Sequence, residues 1–197
     1  MNITTPRLTL RRFTADDFEL LARLHANPEV MQYAGGVKNR EQTEEVLSVR
    51  ILEYYERFPG LGIWATIDRS TGACCGTHLL NHIRGESMIQ LGYLLFPEYW
   101  GRGYATEMSV AVLRYGFADM KLPRIHALTD QENVPSQQVL LKAGLRRQPD
   151  RTFADPSYQG RKPFAFFERA AEEWLEEDRA LGGALRRRGA HIPVRPT

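Results

Sequence analysis

A change in how secondary structure is spaced, close to residue 97, most constrains the fold of this chain. Before that point, two glycine-containing turns, at 68–72 and 84–86, separate three apolar stretches typical of hairpin-linked strands, at 63–67, 73–81 and 88–96. After it, a loop leads into a helix predicted over 106–120 and then a strand over 124–128. Because strands joined through a helix pair in parallel, the pattern predicts a mixed sheet.

The rest of the chain adds elements on both sides of this unit. A strand is predicted within 4–13, and helices are predicted from residue 15 to 26 and over 40–57. The later segments are a short helix at 138–143, two extended stretches at 147–153 and 162–169, and a charged helix at 170–181. We predict the mixed α/β (α+β) class, with a twisted sheet of six or seven strands flanked by helices. One domain is expected over 1–181, followed by a basic tail over 182–197.

Composition excludes several classes of protein. The net charge is +2 in 197 residues, so the chain as a whole is not a polycation built for nucleic acid. Only the arginines of the C-terminal tail suggest binding to RNA or another acidic partner. No apolar run reaches the ~18 residues of a membrane span. Cys74 and Cys75 are adjacent and cannot form an ordinary disulfide, and they give no cysteine-type zinc site. We therefore expect a cytoplasmic protein, without a metal, that is a monomer or a homodimer.

The segment LGYLLFPEYWGRGYATE, residues 91–107, carries the chemistry. A buried strand runs through a loop with Gly101 and Gly103 into a helix N-terminus, where free N–H groups and the helix dipole favour an anion. Arg102 adds a charge that can pair with phosphate. The ordinary alternative is a loop that binds nothing. The segment matches neither the P-loop pattern nor the three-glycine dinucleotide pattern.

Several motifs together resemble the GNAT superfamily of N-acetyltransferases, in its chain order. The run W-G-R-G-Y-A-T-E after G-Y-L-L-F-P resembles that family's acetyl-CoA loop. T-P-R-L-T-L-R-R-F, N-P-E-V-M and E-N-V-P-S-Q-Q-V-L-L-K-A-G-L resemble its opening strand, the loop after its first helix, and its strand-end asparagine with the following helix. The resemblance covers roughly 4–174. It is nearest to the branch that includes ribosomal-protein-alanine N-acetyltransferases.

The resemblance implies acetyl-CoA as cosubstrate and assigns the site residues. The CoA diphosphate would lie on backbone amides of the loop and the pantetheine arm along Leu94 and Leu95, with Leu95 N–H as the oxyanion donor. Asn133 and Ser136 would lie near the cofactor arm, and Ser136 would contact the leaving sulfur, although it could equally cap a helix. The residues implied to bind the cofactor are Leu94, Leu95, Trp100, Arg102, Gly103, Tyr104, Ala105, Thr106 and Asn133.

Three positions depart from the family's pattern. Trp100 replaces a frequent Gln or Arg, Leu140 occupies the place of the general-acid tyrosine, and Gln90 replaces a frequent carboxylate. Gln90 and Leu140 also motivate an alternative, a CoA-binding or partner-binding module without catalysis. For the enzyme, the open candidates for the base are His78, Glu98 and Asp155, each of which has a structural alternative.

The acceptor is expected to be a primary amine, either a protein N-terminal α-amine or a small-molecule amine. A weak base favours the α-amine because its pKa lies nearer 7 than that of lysine. Segments 31–44 and 152–162 are expected to select the acceptor. Trp64, Tyr93 and Trp100 either line the acceptor cleft or belong to the sheet core. Direct attack is expected, since the two cysteines have no evident histidine partner.

Overall fold

The computed structural model describes residues 3–177, in which seven strands form one sheet in the order β1-β2-β3-β4-β5-β7-β6. All neighbours are antiparallel except β4 and β5. The predicted mixed sheet of six or seven strands is confirmed. The predicted tail and the end of the last helix lie outside the described residues. The strands are β1 Leu8–Arg12, β2 Gly62–Asp68, β3 Cys74–His82, β4 Ile89–Leu95, β5 Arg124–Thr129, β6 Arg146–Arg151 and β7 Phe164–Ala170.

The helices are α1 Phe18–Ala26, α2 Pro28–Met31, α3 Arg40–Glu45, α4 Glu53–Arg57, α5 Tyr104–Arg114 and α6 Val134–Lys142. A π-helical segment, Val46–Leu52, makes α3 and α4 one continuous helix, and a second one, Tyr115–Asp119, extends α5. Residues 171–177 are also helical.

The boundary predicted for α6 was wrong. The helix begins at Val134 rather than at 138, because the Asn133 side chain accepts a hydrogen bond from the Ser136 amide at 3.2 Å and so caps the helix early. Pro135 falls in the first turn, where the missing N–H costs nothing.

The contacts of two successive β4 residues show that helices cover both faces of the sheet. Leu94 packs against the hydrophobic cluster that includes Leu24 of α1 and Met31 of α2, whereas the hydroxyl of Tyr93 reaches Ser136 on α6. Since neighbouring strand residues point to opposite faces, α1 and α2 cover one face and α6 the other. The first of these is called the acceptor face below.

Trp64 belongs to the sheet core. Its side chain is 1% exposed and meets the Tyr115 ring edge-on, with centroids 6.3 Å apart. The alternative position in an acceptor cleft is excluded for this residue, because no substrate can reach a side chain so deeply buried.

Strands β4 and β5 separate soon after they meet. Within residues 3–177 they pair at one position, Gln90 with His126. Regular parallel pairing would continue along both strands, so their C-terminal halves leave a gap, called the β4–β5 gap below. Helix α5 begins beyond the end of β4, and the gap therefore opens next to the glycine loop. No helix of the described part of the chain is long and apolar enough to cross a membrane.

Candidate active site

The glycine loop ends in a left-handed turn directly before α5. Gly101 has φ +71° and Gly103 has φ +77°, values that L side chains rarely adopt. A Cβ atom on Gly101 would meet nothing within 4 Å, so this side of the loop is open. Gly103 is the residue that precedes the helix, and no side chain caps it. The amides of the first turn of α5 are consequently available to an anion.

Two residues that the sequence analysis missed hold this loop in place. Arg7 donates from Nη1 to the Arg102 carbonyl at 2.9 Å and from Nε to Glu107 Oε2 at 2.6 Å. The same guanidinium lies 4.7 Å from the centroid of the Tyr104 ring. Both Arg7 and Glu107 lie inside the motifs on which the family resemblance rests. Those motifs could therefore have singled them out, although nothing local predicts that they meet.

Of the predicted diphosphate-binding residues, Tyr104 has a side chain that is engaged elsewhere, whereas the side chain of Arg102 is exposed. Tyr104 is buried and its hydroxyl donates to Asp68 Oδ2 at 2.7 Å. Arg102 is exposed, and its guanidinium lies 5.5 Å from the Tyr99 ring. What the segment from Arg102 to Thr106 offers to an anion is therefore mainly its backbone amides.

The backbone of Leu95 faces the β4–β5 gap. Phe96 N–H donates to the Cys75 carbonyl of β3 at 2.9 Å. Because hydrogen-bonded and non-bonded positions alternate in an antiparallel pair, the neighbouring Leu95 N–H and C=O point away from β3. A hydrogen bond of Trp100 supports this orientation, because the indole N–H donates to the Leu95 carbonyl at 2.8 Å. Trp100 is 48% exposed, so its ring borders the gap rather than belonging to the core.

A pair of hydroxyl groups stands beside the gap. Tyr93 Oη lies 2.9 Å from Ser136 Oγ, and the Tyr93 hydroxyl donates to the Ser136 carbonyl at 3.1 Å. Burial raises the pKa of Tyr93 to about 12, so this hydroxyl keeps its proton at neutral pH. Asn133 is the residue that caps α6, so the capping alternative for Ser136 is wrong. Leu140 is buried at 2% exposure and offers no donor.

Two of the three predicted bases have structural partners. His78 is fully buried, with Nδ1 2.7 Å from Thr66 Oγ1 and Nε2 3.5 Å from the Ala105 carbonyl, and burial lowers its pKa to about 3. Asp155 accepts hydrogen bonds from the Ser157 hydroxyl at 2.6 Å and amide at 2.9 Å, which lower the pKa of its carboxyl. Glu98 is exposed in the turn after β4.

His126 is a titratable residue that the sequence analysis overlooked. Its Nδ1 lies 3.0 Å from the Ile89 carbonyl, which can only accept, so Nδ1 carries the proton. Burial lowers the pKa of His126, so at pH 7 the ring is neutral and Nε2 is a free acceptor, 3.8 Å from Glu168 Oε2. His126 pairs with Gln90, whose amide donates to Asn81 Oδ1 at 3.3 Å. These polar groups form the floor of the acceptor face where β4 and β5 meet.

The cysteines are not poised as nucleophiles. Both are free, and burial raises the pKa of Cys74 and brings that of Cys75 to about 12. A thiol with such a pKa is almost entirely protonated at pH 7 and is a poor nucleophile. Within residues 3–177, no group of three or more His, Cys, Asp or Glu residues could hold a metal ion.

A parallel strand pair that opens beside a glycine loop and a helix N-terminus defines the architecture of a CoA-dependent N-acyltransferase. The family model described as "Acetyltransferase (GNAT) domain" matches residues 7–146, more than half of the chain. This chain therefore belongs to the GNAT family, as the sequence predicted, and is an acetyl-CoA-dependent N-acetyltransferase.

Three relatives illustrate the family. The uncharacterized N-acetyltransferase YnaD of Bacillus subtilis is 33% identical over 149 residues, which cover 75% of this chain and 84% of that protein. A structure assigned as a ribosomal-protein-serine acetyltransferase from Vibrio cholerae is 24% identical, with a TM-score of 0.70 over 86% of this chain and 97% of that one. Spermidine N-acetyltransferase from Vibrio cholerae, solved with CoA and spermine, is 18% identical, with a TM-score of 0.68 over 87% and 99%. The two structural likenesses show the fold alone.

Proposed function

We propose that this protein moves the acetyl group of acetyl-CoA onto a primary amine by direct attack, without an acyl-enzyme intermediate. The observation that carries the proposal is the left-handed glycine loop at the N-terminus of α5, next to the β4–β5 gap. The raised pKa values of both cysteines favour direct attack over a route through a thiolate. Acetyl-CoA supplies an activated thioester, and the residues of this chain bind, orient and polarise it.

The loop fits a diphosphate. Backbone amides from Arg102 to Thr106 bind its oxygens, because the left-handed Gly103 turns the chain without a side chain above the first turn of α5. The chain at Leu94 and Leu95 flanks the pantetheine arm. Leu95 N–H, which points into the gap, donates to the thioester carbonyl and stabilises the negative charge that develops there. Asn133, at the start of α6, lies on the other side of that arm.

The free energies of proton transfer point to the class of amine. A lysine amine of pKa ~10.4 must lose its proton at a cost of roughly 4.6 kcal/mol at pH 7, whereas an α-amine needs only about 1 to 1.4 kcal/mol. A thiol of pKa near ~8.5 leaves without a strong acid. Among the base candidates in the described part of the chain, His78 and Asp155 have lowered pKa values and are therefore weak bases. We assign a protein N-terminal α-amine or a small-molecule amine of similar pKa as the acceptor. The resemblance of the sequence to the branch that includes ribosomal-protein N-terminal-alanine acetyltransferases supports the α-amine.

The acceptor class is tested with two peptides that differ at one internal position. One has a free N-terminus and no lysine, and the other has a blocked N-terminus and lysine at that position. Mass spectrometry after incubation with acetyl-CoA is expected to find the acetyl group on the first peptide. Efficient acetylation of the lysine peptide, without any on the α-amine, would contradict the assignment.

The Tyr93–Ser136 hydroxyl pair is expected to stabilise the leaving sulfur. Ser136→Ala and Tyr93→Phe should each lower kcat about tenfold, the worth of one hydrogen bond to a charged group, with the KM for acetyl-CoA little changed. Because the two hydroxyls act together, the double variant should lose less than the product of the single losses. Steady-state kinetics on purified variants measures this.

Tyr115→Phe is the matched control for the hydroxyl pair. Its hydroxyl donates to the Gly60 carbonyl at 2.9 Å, next to β2, which β3 separates from β4 and the gap, so only stability should change. If kcat of the double variant fell by the full product of the two single losses, Tyr93 and Ser136 would not act together. A kcat for Tyr115→Phe as low as that of Tyr93→Phe would also argue against their shared role.

A further inference from the structure

Three cationic side chains converge on the acceptor side of the molecule, and together they are called the cationic cluster. Lys38 lies in the loop between α2 and α3, Arg50 in the π-helical segment and Arg84 in the turn between β3 and β4. All three are half-buried. None of the three side chains forms an ion pair or hydrogen bond with any other residue of the described chain 3–177.

Burial and mutual repulsion lower the pKa values of two members of the cationic cluster. Burial and then repulsion from Arg84 lower the pKa of Arg50 to about 10. Burial, Arg50 and Arg84, in that order, lower the pKa of Lys38. The buried His25 nearby has a pKa of about 4, through burial first and then Lys38 and Arg50. Partly desolvated like charges are costly to hold together, so a bound anion would be stabilised here.

Carboxylates compensate for only part of this charge. Asp155 faces the cluster, and Arg84 and Arg50 contribute to the lowering of the pKa of its carboxyl. That carboxylate is already engaged by the Ser157 hydroxyl and amide. Glu45 acts on Arg50 more weakly than Asp155 does and is itself exposed. An excess of positive charge is left in a half-buried position.

The cationic cluster lies at the end of the acceptor face. The connection between β6 and β7 closes over the loop after α2, where Arg161 donates to the Tyr33 carbonyl at 3.0 Å. It also touches the turn between β3 and β4, since a Cβ on Gly85 would lie 3.2 Å from Asp155 Cβ. Asn81, the partner of Gln90 on the floor of this face, precedes Arg84 by three residues, a span of at most about 10 Å. The backbone of Arg84 is thus within one small molecule's length of the floor.

We propose that the cationic cluster is a subsite for an oxyanion of the acceptor, so that the substrate is an amine that also carries a carboxylate or phosphate. This inference rests on the proposed acetyl transfer and narrows its acceptor. Arginine and lysine together suit carboxylate and phosphate oxygens alike. The same charges repel polyamines and aminoglycosides, which are polycations. When one amine of such a molecule reacts, its remaining ammonium groups would lie near the cationic cluster.

The test compares acceptors that differ in charge but share their amine. Ser-Glu-Ala, Ser-Gln-Ala and Ser-Lys-Ala peptides, all with an amidated C-terminus, vary the side-chain carboxylate. An aminohexose phosphate against the same aminohexose varies the phosphate, and spermidine is the polycation. Thiol release from acetyl-CoA is measured with the wild type, Arg84→Gln and Lys38→Gln. Lys142→Gln, which removes an exposed cation at the end of α6, is the control.

An acidic or phosphorylated acceptor is expected to have a KM about tenfold below that of its neutral counterpart, and spermidine the highest KM. Arg84→Gln and Lys38→Gln should remove most of that preference by raising the KM for the anionic acceptor, with the neutral acceptor and the Lys142→Gln control unchanged. Equal KM values for the anionic and neutral acceptors, or a preference for spermidine, would overturn the inference.

A binding measurement separates failure of the inference from failure of the proposed function. The protein saturated with CoA is titrated calorimetrically with Ser-Glu-Ala and Ser-Gln-Ala, which needs no turnover. Tighter binding of the acidic peptide that Arg84→Gln abolishes supports the subsite even if no thiol is released. Equal binding of the two peptides overturns the subsite even if acetyl transfer is observed.

Discussion

Gly103→Val is expected to weaken the binding of CoA by about 100-fold while the protein stays folded. A β-branched side chain at φ +77° costs roughly 1–2 kcal/mol. The exposed loop can relieve that strain by changing its conformation, which turns the amides of the first turn of α5 away from the diphosphate. Restoring the bound conformation and losing one charge-assisted hydrogen bond together amount to about 2.7 kcal/mol, or 100-fold.

Gly144→Val is the matched control for the loop variant. Gly144 also has a left-handed φ, +101°, with open space around its missing Cβ, but it lies after the C-terminus of α6. Calorimetric titration with CoA should find this variant within about threefold of the wild type. If Gly103→Val bound CoA as tightly as Gly144→Val, the loop would not be the diphosphate site.

Gly76→Ala is expected to lower the free energy of unfolding by about 2–6 kcal/mol, the sum of backbone strain and overpacking. Gly76 has φ +139°, and a Cβ there would lie 2.1 Å from the Leu94 carbonyl oxygen and 2.7 Å from Leu95 Cα. Those atoms are backbone and cannot move without displacing the end of β4. The same displacement would move Leu95 N–H, so catalysis should fall more than stability alone explains.

Urea unfolding followed by circular dichroism measures the effect, with Gly92→Ala as the control from the same strand pair. A Cβ on Gly92 would meet the end of the Leu79 side chain at 3.2 Å, a flexible neighbour, and the backbone there is not left-handed. Gly92→Ala should therefore lower the free energy of unfolding by less than Gly76→Ala does. Equal losses of stability in the two variants would show that Gly76 is not held against β4 as described.

The sequence was most informative where the signal is local. Turn residues and apolar alternation predicted the hairpins β2–β3–β4, and the two glycines before a helix predicted the loop that the structure places there. The start of α6 was missed because Asn133 was read as a strand-end residue, while its side chain also caps the helix. The helix begins where Asn133 caps it, four residues before the position at which the spacing of apolar residues predicted its start.

The parts of the site that the sequence could not predict depend on distant contacts. Tyr93 and Ser136 are 43 residues apart, and Arg7 reaches across 95 residues to Arg102. Nothing in the local pattern around His126 indicated a neutral imidazole beside Gln90, since that arrangement exists only once β4 and β5 pair. The cytoplasmic location, the oligomeric state and the limits of the domain at 181 stay predictions.

The most direct test of acetyl transfer to an amine is the release of free CoA thiol when the protein meets acetyl-CoA and a panel of amines between pH 6.5 and 9. We expect release that depends on the amine, with stoichiometric acetylated product and no burst from an acyl-enzyme. Binding of acetyl-CoA without release for any amine would favour the binding module. Failure to bind acetyl-CoA at all would contradict the assignment of the loop and the function derived from it.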